Sequence, residues 1–460
     1  MEGATKDVKT MLGDPRKAIL VLSIPIAVAF LVQYSNNLVD SLWVTGLGAE
    51  AMAALGLVNP VYSVIISVGN GMAVGVSAAM ARNIGMGRKG RAEAIASQTI
   101  ILIVLLALIM TPILILTAEP VLMIIGAADT IDASMAYAIP LYLSSFIIMM
   151  SSAMSGMLRG EGAVRKSMYI QVMAAAVNIV LDPILIYWAG MGVAGAAWAT
   201  VIACAASILL GLLWYSRKTL FITLRRSDLR VDLGAIREIM VVGFPQTLEL
   251  MLMSLFNIVY NLCIIFVSSS AVMAIYTVVW RIVYLVIIPA EAVGGAMVSA
   301  CSAEFGMKRY DMIKKAFRFS TKFSLITTIV LSVLVILLAD PLASLFTYAP
   351  DMQALHGEMV RFTRIMFLCV PLLAMVFVGS SLLQAVSRSG ISMWSSLIRN
   401  IALSAAFIAV TFTVGTLSGL WWAISIVEML GGILMWYLAE YALKSLGKMG
   451  PKVASKADRE

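Results

Sequence analysis

Twelve apolar stretches follow one another along the chain, beginning near residues 18, 51, 95, 133, 167, 193, 238, 271, 318, 358, 391 and 418. A helix needs about 20 apolar residues to cross a bilayer core of about 30 Å. Repeated twelve times, that length leaves one fold class open: an all-α membrane protein. Composition agrees, with 460 residues of which 61% are hydrophobic and 13% charged. Soluble domains run at about 45–50% apolar and about 25% charged.

The polar minority excludes several classes. A net charge of +8 would suit nucleic acid, but the basic residues fall in short clusters between apolar runs, so no nucleic-acid partner is expected. Cys204, Cys263, Cys301 and Cys369 lie far apart in or beside apolar segments, without a CxxC pair, and read as small buried hydrophobes. His356 is the only histidine, which removes histidine triads and histidine metal clusters. The first apolar stretch is too long, and too polar at its end, for a cleaved signal peptide.

Lys and Arg set the orientation. They gather before the first span, in "ARNIGMGRKGR" (81–91), in "RGEGAVRK" (159–166), over 217–237, over 308–322, around Arg388 and in the tail, placing about 29 of the 33 on one side. Both termini are therefore expected in the cytoplasm, with the chain multi-pass in the cell membrane.

The chain also repeats itself. A shift of 220 sets "SIP" (23–25) on "GFP" (243–245) and Asn37 on Asn257; a shift of 221 sets "GMGR" (85–88) on "GMKR" (306–309). A shift of 225 pairs the "SM" at 167–168 with that at 392–393, and 224 pairs Gly195 and Trp198 with Gly419 and Trp422. Two six-helix lobes are expected: 1–215 and 238–445, joined by a basic cytoplasmic linker at 216–237 and followed by a tail at 446–460. Parallel repeats facing one another leave a central cavity, the arrangement of alternating-access transporters.

Polar residues inside the first half point to the chemistry. "QYSNNLVDSLW" (33–43) ends the first span with Gln33, Asn36 and Asp40, spaced three and four apart and so on one helix face. Asn178 and Asp182 share a face of span five, and Pro183 frees a backbone carbonyl one turn earlier. A charge at mid-bilayer costs about 2.5–3.5 kcal/mol on insertion scales and is usually functional. No Lys or Arg lies inside the first six spans to neutralise either acid. Such a carboxylate takes a proton or coordinates a cation. Two Asp oxygens, an Asn carbonyl and the Thr200 hydroxyl form a hard-oxygen set for sodium; the same acids could instead share a proton.

"NLVDSLWVTGLGAEAMAALGLVNPV", "LRGEGAVRKSMYIQVMAAAVNIVLDPILI" and "GMGVAGAAWAT" resemble the signature of the multidrug and toxic compound extrusion (MATE) family, and "LLQAVSRSG" with "LSGLWWAISIVEML" echo it in the second half. The resemblance covers nearly the whole chain. It implies a secondary exporter of small molecules, mostly organic cations, driven by a proton or sodium gradient, working as a monomer without a cofactor and without enzymatic activity. It carries the family's first-lobe cation site onto Asp40, Asn178, Asp182 and Thr200, and the nearby cavity onto Gln33 and Tyr137; Asn36 joins that cavity by its place on the Gln33–Asp40 face. Span ten, "IMFLCVPLLAMVFV", has no acid, which favours the branch resembling DNA-damage-inducible protein F. The rival readings are a lipid-linked precursor flippase of the same superfamily and a major-facilitator-type transporter. The facilitator loop pattern needs an Asp that "NIGMGRKGR" lacks.

Two further expectations concern conformation and substrate. Pro25 interrupts the hydrogen bonding of span one and makes a hinge. Among the second-half charges Glu249, Arg281, Glu291, Arg399 and Glu428, both signs occur, so pairing is expected. Glu249 is the candidate for contacting cationic substrate.

Overall fold

The structure is a computed structural model and describes residues 5–224, 230–268, 270–348 and 350–448. Among the described residues it is helical, without strands. A short helix α1 (Lys6–Met11) precedes the first-half spans α2 (Pro15–Thr45), α3 (Ala49–Gly85), α4 (Lys89–Ile125), α5 (Ile131–Leu143) with α6 (Ser145–Gly160), α7 (Val164–Pro183) and α8 (Val193–Ser216). The second half comprises α9 (Leu233–Val267), α10 (Ser270–Gly306), α11 (Tyr310–Leu337), the short α12 (Ala339–Phe346) and α13 (Pro350–Gln353), α14 (His356–Ala385), α15 (Ser389–Thr413) and α16 (Leu417–Lys448).

Among the described residues, eleven helices are long and apolar enough to cross a membrane, and the α5–α6 pair, bent by 53°, makes the twelfth crossing expected from the sequence. The break falls at Ser144–Ser145. A serine pair is a usual place for a sharp kink, and the Ser145 hydroxyl bonds Thr111 of α4.

Contacts sort the chain into two compact units. The first runs up to Gly13 and again from Ile24 to Ser254; the second holds Asp14–Ser23 and everything from Leu255 on. Each unit therefore takes in the first turns of the other half's leading helix, α2 or α9. Glu249, grouped above with the second-half charges, lies in the part of α9 that belongs to the first unit. Sequence periodicity could not assign it, because helix halves are sorted by tertiary packing.

The internal repeat reappears as matched local geometry inside each unit. Ser155 bonds Ser167 at 2.7 Å, and their counterparts 225 residues on, Ser380 and Ser392, bond at 2.7 Å as well. Left-handed turns also recur: Gly87 (φ 76°) answers to Lys308 (58°), Gly162 (79°) to Ser387 (58°) and Gly190 (66°) to Gly415 (60°). Lys308 and Ser387 hold a conformation that costs a non-glycine residue about 1–2 kcal/mol, so the second unit keeps the turn shape without the glycine.

Residues 225–229 of the linker lie outside the described residues. The remainder is strapped within the first unit. Glu161, buried between α6 and α7, accepts from the backbone N–H groups of Phe221 and Ile222 at 3.1 Å each and from the Tyr215 hydroxyl at 3.2 Å. Glu93 accepts from the Thr223 hydroxyl at 2.7 Å, and Gln98 donates to the Arg230 carbonyl at 2.7 Å.

Candidate functional site

The acids anticipated from the sequence meet in the first unit. Asn36 of α2 donates from Nδ2 to Asn178 Oδ1 of α7 at 2.8 Å, and Asn178 Nδ2 donates to Asp182 Oδ1 at 3.0 Å. Asp40, one turn beyond Asn36, lies within electrostatic reach of Asp182. Two buried carboxyls so near one another disfavour double ionisation, which a proton or a cation relieves. Asp182 is fully buried and Asn178 is 4% exposed.

Local backbone geometry fixes this pair. Past Pro183, α7 widens into a single π turn, Ile184–Trp188, an irregularity common at functional sites. Tyr187 in that turn donates its hydroxyl to the Trp43 carbonyl, tying the end of α7 to α2 just beyond Asp40. Gly195 lets α8 approach closely: an added Cβ would lie 2.7 Å from the Leu185 backbone.

Three buried oxygens at this junction have no hydrogen-bond partner among the described residues: Asn36 Oδ1, Asp40 Oδ1 and Asp182 Oδ2. An unsatisfied buried polar atom costs about 1–3 kcal/mol, and this cluster holds three. This set suits a proton shared between the acids or a hard cation.

The set differs from the one read from the sequence. Asn178 Oδ1 is already occupied by the Asn36 amide, and Asn36 supplies the unpartnered carbonyl instead. The Thr200 hydroxyl donates to the Ala196 carbonyl of its own helix at 3.1 Å, a back-bond that serine and threonine readily make in helices. Gln33 is exposed and joins no hydrogen bond of the cluster among the described residues. Tyr137 is 8% exposed and within electrostatic reach of both acids. Tyr62 of α3, within electrostatic reach of Asp40, was not singled out by the sequence, because one phenol in an apolar span carries no pattern.

The second unit repeats the framework and changes the chemistry. Tyr260 stands in the repeat position of Asp40, and its hydroxyl donates to Oδ1 of Asn400 on α15 at 3.2 Å. Its ring packs on Phe407 with centroids 5.2 Å apart. A phenol on a phenyl ring thus replaces an acid on an acid. The charges of this unit include a buried ion pair, Arg399 Nη1 to Glu428 Oε2 at 2.7 Å. Gly431 gives the Arg399 stem its room, since a Cβ there would lie 2.5 Å from Arg399 Cδ. Arg281 is exposed and Glu291 half-buried.

A duplicated six-helix unit that crosses the membrane twelve times, with an uncompensated acid pair in one copy, defines a membrane transporter. The MatE family model matches residues 25–184 and 245–411, starting the two matches with the same spacing of 220 as the repeat, and the chain belongs to that family. It is a multi-pass transporter of small molecules, not an enzyme, and not a major-facilitator-type protein. The FAD transporter of Shewanella oneidensis is 26% identical over 95% of this chain and 97% of its own length. The probable multidrug resistance protein YoeA of Bacillus subtilis is 24% identical over 86% of each chain. A crystal structure of MATE in complex with MaL6 superposes with a TM-score of 0.93 at 30% identity, covering 97% of this chain and all of the other.

Proposed function

We propose that this protein exports amphipathic, mostly cationic organic compounds across the cell membrane, with both termini in the cytoplasm, in exchange for protons or sodium ions bound at Asp40 and Asp182. The observation that carries the reading is a pair of acids within electrostatic reach of one another, in a cluster that leaves three buried oxygens unpartnered and holds no basic side chain among the described residues. Arg82, Arg91, Arg159 and Arg165 all stand in end turns of their helices. The coupling ion offsets the charge that the protein leaves bare.

Coupling needs two states of differing ion affinity. Asn36 and Asp40 ride on α2, Asn178 and Asp182 on α7, so any bend of α2 changes the donor set. Pro25 has no N–H to give the Val21 carbonyl, and the boundary between the compact units crosses α2 at Ser23–Ile24, directly before it. Bending at Pro25 carries Asp40 toward or away from Asp182. Glu249, half-buried on α9 in the same unit as the acids, serves substrate recognition.

The test is transport into proteoliposomes under imposed gradients of protons or of sodium. An ethidium-like cation and FAD serve as separate substrates, because one relative transports FAD. Gradient-driven accumulation of the cation supports the reading. Accumulation of FAD alone would replace the cationic substrate class with an anionic one, and accumulation of neither would overturn the proposal.

A further inference from the structure

Repeat register exposes a difference at the ends of α3 and α10. Asn83 and Glu304 are counterparts 221 residues apart, each five residues before an arginine, Arg88 or Arg309. In the first unit the acid comes from α9. Glu238 accepts from Asn83 Nδ2 and Arg82 Nη2 at 2.8 Å each and from Arg91 Nε at 3.0 Å. In the second unit α2 takes the role of α9, and a shift of 220 sets Ala18 in the place of Glu238. The acid has changed helices, from the leading helix to α10, and the three donors have gone.

Glu304 is fully buried, yet neither of its carboxyl oxygens has a hydrogen-bond partner among the described residues. Its ion-pairing cation, Arg309, stands off at 3.9 Å and is half exposed. Among the described residues, the other titratable groups within electrostatic reach are Asp14, which opens α2, and Cys301 on α10. Asp14 already accepts from the Arg16 and Lys17 amides at 2.9 and 3.3 Å. The α2 residues of the same unit, Ala18, Ile19 and Leu22, are buried and offer no side-chain donor. A bare carboxylate so enclosed is costly, whereas a neutral carboxyl is tolerated.

We infer that Glu304 is a second proton-binding site, loaded while the first turns of α2 are packed in the second unit and emptied to bulk water when they lift away. Proton occupancy and the packing of Asp14–Ser23 are then linked equilibria, each biasing the other. The segment ends two residues before Pro25, so the site acts on the part of α2 that lies on the far side of the hinge from Asp40. This goes beyond coupling at Asp40 and Asp182. Its bearing on transport rests on the reading of α2 as the bending helix, but the site itself does not.

The experiment is hydrogen exchange of the full-length protein in lipid nanodiscs without substrate, read on the amides of residues 17–24 from about pH 5 to about pH 8 and corrected for intrinsic exchange. Wild-type protection should fall as pH rises, by at most about tenfold per pH unit, the mark of one proton. Glu304→Gln should keep the segment protected at every pH, and Arg309→Gln should move the midpoint without abolishing the transition. If Glu304→Gln does not fold, Glu304→Met, of similar volume and without charge, takes its place. A wild-type profile without pH dependence would overturn the inference, and so would a transition unchanged in the variants. Because no substrate is present, either outcome stands apart from the transport measurements.

Discussion

Asn178 holds Asn36 and Asp182 at once, accepting from the first at 2.8 Å and donating to the second at 3.0 Å. One amide thereby joins α2 to α7 and leaves the outer oxygens of both partners unpaired. In Asp182→Asn the acceptor for Asn178 survives but the charge is gone. Gradient-driven efflux in vesicles should drop to background, while the thermal midpoint stays within a few degrees of wild type, about 1 kcal/mol or less for a domain of this kind. Near-normal transport would remove Asp182 from the coupling site.

Truncating the joining residue has the opposite signature. Asn178→Ala strands the Asn36 amide and one Asp182 oxygen in a buried site, each costing about 1–3 kcal/mol. Thermal melting in detergent should show clear destabilisation, larger than for Thr200→Val, whose hydroxyl bonds only its own helix. Equal losses in the two variants would mean that the Asn178 bridge contributes no more than a local back-bond.

Pro25→Ala restores a backbone donor inside α2 and should stabilise the straight helix by up to about 3 kcal/mol. Transport should slow, because the bend that moves Asp40 relative to Asp182 becomes harder to reach. The measurement is turnover in proteoliposomes beside the melting temperature. A stiffer protein that transports at the wild-type rate would place the hinge elsewhere.

Burial pushes the Glu161 carboxyl up to about 7, against the pull of its backbone and tyrosine donors and of Lys166. With the value raised on docking, the linker contributes most stability below the ordinary carboxylate range of about 4.3, loses it progressively to about pH 7, and is flat above. Corrected for intrinsic exchange, amide exchange at Phe221 and Ile222 should therefore accelerate over that window and then level off. Glu161→Gln should flatten the profile; a profile unchanged in that variant would assign the titration to another group.

The acids were legible because an uncompensated charge in an apolar span has few structural uses, and the i, i+4 spacing of Asn36 with Asp40 and of Asn178 with Asp182 put each pair on one face. The repeat was legible for a related reason: turn glycines and packing serines keep their spacing through duplication, as Ser155–Ser167 and Ser380–Ser392 do. Hydrogen-bond allocation was not legible. Nothing in the sequence says that Asn36 claims the Asn178 carbonyl, or that Thr200 spends its hydroxyl on Ala196. The assignment of helix halves was hidden too, since apolar residues run through both halves of α9 and only packing places Glu249 with the first unit.

Ion displacement reads the coupling at Asp40 and Asp182 without a transport assay. Purified protein in weakly buffered medium is titrated with a cationic substrate, and released protons are read with an indicator dye, or released sodium by scintillation counting. The wild type should release its coupling ion in proportion to substrate bound. Asp40→Asn and Asp182→Asn should bind substrate and release none, because the ion has lost its ligands. Release at the wild-type level from both variants would contradict the account and place the coupling ion outside the Asp40–Asp182 pair.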